Sequence, residues 1–218
     1  MVRSTTETLL NVRDQVDTVR QFQGADTSGV YTEATTTYDG YGRVRTHKLP
    51  QQTVATTYEY NSDDTVHKVT DPRGVEATNT YNGRHLLTGV SYDPGNSGVS
   101  QLPAISFEYD AAGNKTLITD GTGHTSFNYD QLSRITSESH YLGDLGTSYS
   151  LTYDYNLAGE LTKIVDPSAA QVNYEYDNAG RLTKMPATGY TGVTNFLSNT
   201  QYRAFGAMKH ATYGNRKT

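Results

Sequence analysis

The chain has no cysteine among its 218 residues, which excludes a disulfide framework and any metal site built on thiolates. No apolar run approaches the length of a transmembrane helix, and the opening residues, Met1 to Glu7, lack the apolar segment of a signal peptide. Lysine and arginine form no cluster, and the net charge is −5. We therefore expect no nucleic-acid partner and no membrane insertion.

Apolar content is also low, at 34% of residues, with a mean hydropathy of −0.66. Disordered chains share these values, but they are poor in aromatic and β-branched residues. This chain has 18 tyrosines and many threonine-rich stretches in which apolar and polar residues alternate. A thin sheet with one apolar face accounts for this composition better than a thick globule.

The most informative feature that is present is a repeated phrase, seen most clearly in Tyr174–Leu182, which reads YEYDNAGRL. We call the tyrosine before the Asp or Asn of each copy the anchor tyrosine. The anchors are Tyr38, Tyr60, Tyr81, Tyr109, Tyr129, Tyr155 and Tyr176, with a weaker copy at Tyr202. Four of the seven intervals are 20–22 residues, and the longer ones contain insertions at 92–103, 141–148 and 186–199. Self-similarity at a fixed period predicts a repeat architecture with the insertions as loops.

Each repeat is predicted to be a β-hairpin. The residues before an anchor alternate, as in Val172, Tyr174 and Tyr176, which is typical of a half-buried strand. The next four residues, such as Asp177–Gly180, fit a type I turn followed by a bulge. This turn predicts that each anchor lies opposite the residue six positions later. Those residues are Val44, Val66, Leu87, Lys115, Ile135, Leu161, Leu182 and Met208. With a second turn after each hairpin, we expect about sixteen strands from eight repeats.

Two features leave alternatives open. The residue nine positions after an anchor is also often apolar, as at Val69, Val90, Ile118, Ile164 and Met185. Either a bulge moves this residue to the face of the sheet that carries the anchor tyrosines, which we call the anchor face, or the opposite face is partly covered. Residues 4–23 fit a helix that begins at the capping box Ser4–Glu7. They also fit a degenerate repeat in which Leu10 replaces the anchor and Val16 takes the sixth position, which we favour.

The residues that could carry chemistry have simpler interpretations. The pair Asp63–Asp64 is expected in a turn, because adjacent strand residues point to opposite faces. Gly121–Gly123 lacks the lysine and helix of a phosphate loop. The histidines are expected to be exposed strand or turn residues: His47, His67, His85, His124, His140 and His210. Some arginines are expected to pair with carboxylates such as the turn aspartates: Arg43, Arg134 and Arg181. The tyrosine rows either pack along the sheet, which we favour, or stack on sugars. We predict no enzyme activity, no cofactor, and no catalytic, cofactor-binding or metal-binding residue.

The phrases resemble the YD repeats of the Rhs family over about residues 30–216. The matching segments are Tyr38–Arg43 (YDGYGR), Asp71–Gly74 (DPRG) and Tyr109–Asn114 (YDAAGN). The resemblance implies strands that coil into a spiral sheet and close as a hollow shell. Bacterial Rhs proteins and insecticidal toxin complexes enclose a toxic C-terminal segment in such shells, and teneurins use a related shell in cell-surface adhesion. The family's closing segment, with its self-cleaving aspartate pair, and the variable toxin domain have no counterpart in this sequence.

The expected fold is therefore all-β, an antiparallel hairpin-repeat meander that coils into an open spiral sheet or partial shell. We expect one YD-repeat domain over 1–218, with 1–30 a degenerate repeat or cap and 31–218 about eight repeats, the last truncated. The expected function is a structural segment of a secreted or cell-surface, bacterial Rhs-type protein that encloses or presents a C-terminal effector. The alternative is a carbohydrate- or protein-binding adhesion module. Expected partners are further repeats of a longer parent chain, an encapsulated polypeptide, other copies through open sheet edges, and a glycan.

Overall fold

The computed structural model describes residues 4–214, and these residues form nineteen β-strands and one short 3₁₀ helix, Gly143–Leu145. Successive strands pair antiparallel in a meander, so the predicted all-β hairpin-repeat fold is confirmed. Residues 1–3 and 215–218, which belong to the predicted repeat domain, lie outside the described residues.

Residue contacts divide the chain into two units, Met1–Ser106 and Phe107–Thr218. The prediction of a single repeat domain over 1–218 stays a prediction. The first unit contains the start of β9 (Ile105–Tyr109) and eight complete strands before it: β1 (Ser4–Leu10), β2 (Val16–Gln23), β3 (Tyr31–Tyr38), β4 (Val44–Lys48), β5 (Thr56–Tyr60), β6 (Val66–Thr70), β7 (Glu76–Tyr81) and β8 (Leu87–Asp93).

The second unit contains the rest of β9 and the remaining strands. These are β10 (Lys115–Asp120), β11 (Gly123–Tyr129), β12 (Ile135–Leu142), β13 (Thr147–Tyr155), β14 (Leu161–Val165), β15 (Gln171–Asn173), β16 (Glu175–Tyr176), β17 (Leu182–Thr188), β18 (Asn195–Tyr202) and β19 (Met208–Tyr213). The strand count exceeds the expected sixteen for two reasons. Residues 4–23 add a hairpin, and the first strand of the seventh repeat is interrupted at Tyr174.

The predicted register holds along the chain. Seven anchors lie opposite the residue six positions later: Tyr38↔Val44, Tyr60↔Val66, Tyr81↔Leu87, Tyr129↔Ile135, Tyr155↔Leu161, Tyr176↔Leu182 and Tyr202↔Met208. Leu10 lies opposite Val16 in the same way. Residues 4–23 are therefore a degenerate repeat, and the helix alternative is wrong.

The turn after each anchor has the predicted geometry. The Gly180 amide donates to the Asp177 carbonyl at 2.9 Å, and the Asp177 amide donates to the Arg181 carbonyl at 2.9 Å. Gly180 has φ of +73°, in the left-handed region that glycine adopts without steric cost. Asp64 occupies the same turn position with φ of +66°, so the Asp63–Asp64 pair lies in a turn as predicted.

A bulge explains the apolar residues at the ninth position. In the hairpin of β5 and β6, Tyr60 lies opposite Val66, but Tyr58 lies opposite Val69 because the register shifts by one residue between Glu59 and Tyr60. The extra residue, His67, has no partner in this register. The shift places residues six and nine after the anchor on the anchor face, which decides between the two alternatives left open by the sequence.

Very few side chains are buried. Among the described residues, those with the least exposure are Phe22, Val75, Ala170 and Leu197. The insertions are partly absorbed into strands, which leaves loops at 94–104 and 189–194, while 141–148 holds the 3₁₀ helix between two strand ends. The loop at 189–194 packs on a hairpin turn, since a Cβ on Gly189 would lie 2.9 Å from the Ala170 Cα. With so few buried side chains, the stability of each unit depends on strand-to-strand contacts.

Replacing Gly74 with alanine is expected to lower the free energy of unfolding by about 1–2 kcal/mol. The φ of Gly74 is +88°, while a Cβ there would meet no atom within 4 Å, so the cost arises from the backbone alone. The matched control is Gly40→Ala, where the space is equally open and φ lies outside the left-handed region. That change is expected to be neutral or stabilising by about 0.4–1 kcal/mol. Urea denaturation of both variants checks this, and equal effects would contradict it.

Candidate functional site

The junction between one hairpin and the next recurs along the chain, and the residues of the repeated phrase make contacts across it. At seven junctions the residue three before an anchor lies opposite the residue eight after the preceding anchor: Thr18↔Thr35, Thr46↔Thr57, Lys68↔Thr78, Gly89↔Ser106, Leu117↔Ser126, Ser137↔Thr152 and Lys163↔Asn173. The backbone ladder does not continue to the anchors. Between β4 and β5, for example, it consists of Thr46↔Thr57 and His47↔Thr56 alone.

The anchor hydroxyl spans the gap where the ladder stops. The Tyr60 hydroxyl donates to the Val44 carbonyl at 2.7 Å, and Val44 is the sixth residue after the preceding anchor. We call this hydrogen bond the tyrosine link. The hydrogen bonds of the described residues include six such links: Tyr38 to Val16 (2.7 Å), Tyr60 to Val44 (2.7 Å), Tyr81 to Val66 (2.8 Å), Tyr129 to Lys115 (2.8 Å), Tyr176 to Leu161 (2.8 Å) and Tyr202 to Leu182 (2.6 Å). A phenylalanine could not replace the tyrosine in this role.

The first turn residue holds the arginine that follows the turn. The Asp177 Oδ1 accepts the Arg181 amide at 3.0 Å, and its Oδ2 accepts the Arg181 Nε at 2.8 Å. The three predicted Arg–carboxylate pairs are all made with turn aspartates: Arg43–Asp39, Arg134–Asp130 and Arg181–Asp177. Hydrogen bonds from the Arg181 side chain and backbone hold the pKa of Asp177 below its usual value.

Each of these arginines also covers the anchor ring of the next hairpin. The guanidinium carbon lies 4.4 Å from the ring centroid in Arg43–Tyr60, 4.6 Å in Arg134–Tyr155 and 4.8 Å in Arg181–Tyr202. These distances are in the range of cation–π attraction. The arginine therefore connects the turn of one hairpin to the tyrosine of the next. Anchor rings held in this way support the packing interpretation of the tyrosine rows.

Where the first turn residue is Asn, the residue after the turn is no longer arginine. The Asn156 side chain donates to the Glu160 carboxylate at 2.7 Å, and the Asn61 side chain donates to the Thr65 hydroxyl at 2.9 Å. In these turns an acid accompanies a cation, or an amide donor accompanies an oxygen acceptor, whereas Asp110 is paired with Asn114 and Asn82 is followed by Leu86. The sequence contained this matching in five repeats, as Asp with Arg at three turns and as Asn with Glu or Thr at two, although the sequence analysis did not use it.

The histidines lie in strands and turns, as expected. His47 is half-buried, and the other five are exposed. The His85 Nδ1 lies 2.7 Å from the Asp63 Oδ2, which connects two neighbouring hairpin turns. Residues 4–214 contain no group of three or more His, Cys, Asp or Glu placed to hold a metal ion. The absence of catalytic, cofactor-binding and metal-binding residues stays a prediction.

One carboxylate on the anchor face was missed by the sequence analysis. Glu138 occupies the ninth position after Tyr129, where five other repeats have the apolar residues Val69, Val90, Ile118, Ile164 and Met185. Its Oε1 accepts a hydrogen bond from the Tyr153 hydroxyl at 2.7 Å. Burial and this hydrogen bond raise the pKa of Tyr153 to about 12. The junction between these hairpins is therefore polar at a position that is apolar in most repeats.

Changing Asp177 to asparagine is expected to reduce stability at neutral pH. It is also expected to make the stability less dependent on pH in the acid range. The variant keeps an oxygen for the turn amides, as Asn156 does in its own turn, but it loses the charge beside Arg181. Because the folded-state pKa of Asp177 is lowered, its contribution is complete above the unfolded value of about 4 and is lost as the pH falls through the folded value.

Urea midpoints measured between about pH 7 and about pH 2 should show the difference between wild type and Asp177→Asn shrinking as the pH falls below about 4. Asp144→Asn is the control, because Asp144 is exposed in the 3₁₀ helix and forms no ion pair within residues 4–214. A difference that is constant over the pH range would contradict the role of the charge.

Comparison with known proteins agrees with this geometry. A family model described as Teneurin YD-shell matches residues 78–190, just over half of the 218-residue chain. No curated protein sequence matches the chain. No helix among residues 4–214 is long and apolar enough to cross a membrane.

Several solved structures share the fold. The crystal structure of TcdB2-TccC3-Cdc42 matches with a TM-score of 0.67 and 15% identity, over 97% of this chain and 13% of that chain. A structure of the Photorhabdus luminescens Tc holotoxin pore matches with a TM-score of 0.58 and 15% identity, over 98% of this chain and 13% of that chain. The chain thus spans about an eighth of each matched chain. With the family model covering more than half of the sequence, and with the YD hairpins in the register that the repeat predicts, the chain belongs to the Teneurin YD-shell family.

Proposed function

We propose that this chain is a structural wall segment of a longer shell-forming protein and that its working part is the repeated junction between hairpins. The observation that carries the proposal is the tyrosine link, which six anchors make to the preceding hairpin. A wall must resist separation of neighbouring strands, and these links act where the backbone ladder is absent. The segment itself is not an enzyme in this proposal.

The wall encloses or presents a polypeptide effector that lies elsewhere in the parent protein. Two matched structures support this extension. One combines TcdB2-TccC3 with Cdc42, and another is TcdB2-TccC3 without a hypervariable C-terminal region. Since this chain covers 13% of the first of them, further repeats would complete the enclosure. We place the parent protein outside the cell or on its surface, in a bacterium.

The partners of the proposed wall pair with the open edges of the described sheet. Within residues 4–214, β1 pairs with β2 alone and β19 pairs with β18 alone. Unpaired strand edges recruit other strands. Further repeats of the parent protein pair with these edges in the proposal, and copies of the isolated chain associate through them at high concentration.

A binding module is the second candidate, and the exposed tyrosine at one hairpin tip favours it. The side chain of Tyr41 is 85% exposed, and the Arg43 guanidinium carbon lies 5.0 Å from its ring centroid. An exposed ring of this kind can stack on a sugar or on an apolar side chain of a partner protein. The anchor tyrosines are less available, because arginines cover several of their rings.

Replacing Tyr60 with phenylalanine is expected to lower the free energy of unfolding by about 0.5–1.5 kcal/mol. The change removes the tyrosine link to the Val44 carbonyl and keeps the ring under Arg43. Tyr58→Phe is the matched control, since Tyr58 lies two residues earlier on the same face and its hydroxyl forms no hydrogen bond within the described residues. Urea denaturation compares the two variants. If both cost the same, the link does not hold the hairpins together.

Limited proteolysis tests the wall and the enclosure separately. A protease should cut the isolated chain first in the loops at 94–104 and 189–194, because strands within a continuous ladder are poor protease substrates. Rapid cutting throughout the repeats would contradict a wall. In the parent protein, an enclosed effector should resist the protease until the repeats unfold. An effector that is digested while the repeats remain intact would contradict enclosure and leave the wall role in place.

A further inference from the structure

A carboxylate and a histidine lie side by side on the anchor face of β12. Glu138 and His140 are two residues apart in this strand, and alternate residues of a strand point to the same face of the sheet. The His140 Nε2 lies 3.9 Å from the Glu138 Oε2, which is too long for a hydrogen bond. The ion pairs of residues 4–214 give this carboxylate no lysine or arginine partner.

The second polar atom of each group is held by a neighbouring strand. The Glu138 Oε1 accepts a hydrogen bond from the Tyr153 hydroxyl of β13 at 2.7 Å. The His140 Nδ1 lies 3.0 Å from the Thr125 Oγ1 of β11. With the ring proton on Nδ1, the imidazole donates to the Thr125 hydroxyl, and its Nε2 keeps a lone pair. Hydrogen bonds of this kind orient metal ligands and fix the histidine tautomer.

The two remaining atoms have the spacing and access that a metal ion needs. Zinc bonds to nitrogen and oxygen are about 2.0–2.2 Å long, so two ligand atoms of a tetrahedral ion lie about 3.4 Å apart. Closing the observed distance of 3.9 Å to that value requires a small movement of the His140 ring. The ring is free to make it, because the His140 side chain is 47% exposed, whereas the Glu138 side chain is sheltered at 19%.

We propose that Glu138 and His140 form a binding site for a divalent transition-metal ion such as Zn²⁺, with Thr125 and Tyr153 as positioning residues. Imidazole favours zinc, copper and nickel, whereas Mg²⁺ and Ca²⁺ prefer oxygen ligands alone. Two protein ligands leave two positions of a tetrahedral ion open to water or to a partner molecule, so the site binds more weakly than a four-ligand structural site.

This inference goes beyond the wall role and does not depend on it. It departs from the sequence-based prediction that no residue binds a metal. That prediction did not use the spacing of two residues that places an acid and a histidine on one face of a strand. It also could not use Thr125 and Tyr153, since their contacts with His140 and Glu138 cross between strands.

The chain contains a matched histidine that lacks the carboxylate. The Thr36 Oγ1 lies 3.0 Å from the His47 Nδ1, as Thr125 does from His140, but no carboxylate of residues 4–214 forms an ion pair with His47. The exposed His124, on the opposite face of the same sheet, is a second comparison.

Titration of the full chain with Zn²⁺, followed by NMR of the histidine side-chain nitrogens, reads each histidine separately. His140 should respond at a lower zinc concentration than His47 and His124, and Mg²⁺ should leave all three unchanged. A response of His140 at the same zinc concentration as His124, or at a higher one, would indicate an adventitious ion only and would overturn the proposal.

Variants test the ligand and the positioning residues in the same titration. Glu138→Gln keeps an oxygen for the Tyr153 hydroxyl and should weaken zinc binding at His140. Thr125→Val and Tyr153→Phe should each weaken it about tenfold or more, whereas Thr36→Val should leave it unchanged. The dispersion of each NMR spectrum shows that the variant is folded. Unchanged affinity in Glu138→Gln would overturn the site, and unchanged affinity in both Thr125→Val and Tyr153→Phe would overturn the positioning roles.

Discussion

The structure depends on the hydrogen bond from an anchor tyrosine to the backbone of the preceding hairpin. The few buried side chains among the described residues supply little hydrophobic stabilisation, so specific strand-to-strand contacts must contribute a larger share of the stability. The ladder between hairpins stops before the anchors, and the link acts there. Burial raises the pKa of Tyr60, Tyr129 and Tyr176, which extends to higher pH the range over which these hydroxyls can donate.

The turn residues also contribute to the junction between one hairpin and the next. An aspartate at the first turn position fixes the turn through backbone amides and orients the arginine that follows, and that arginine covers the next anchor ring. The two halves of the Tyr-Asp…Gly-Arg phrase therefore act on different hairpins. The tyrosine contacts the hairpin before it, and the arginine contacts the hairpin after it. This division explains why the phrase recurs as a unit and why one copy alone carries little structural information.

Contacts within a hairpin could be predicted from the sequence, because they connect residues close together in the chain. Tyr176 opposite Leu182 and Arg181 beside Asp177 follow from turn geometry and charge. The tyrosine link could not be predicted, since it requires the register between hairpins, which the alternating pattern leaves free. The bulge at Glu59 and Tyr60 remained undecided because two explanations fitted the same spacing. The break at Tyr174 had no signal in the sequence.

The junction between β17 and β18 shows whether the backbone ladder or the tyrosine link is maintained when both cannot keep their usual register. There the residue nine after the anchor, Met185, lies opposite Leu197, one residue away from the register of the other junctions. A further irregularity between Ser198 and Gln201, with Asn199 at φ of +51°, takes up the difference. The Tyr202 hydroxyl still reaches the Leu182 carbonyl at 2.6 Å. The backbone ladder has shifted and the tyrosine link has not, so the link is the constraint to which this junction is fitted. An insertion in a YD repeat is therefore tolerated where a bulge can restore the distance from anchor hydroxyl to acceptor carbonyl.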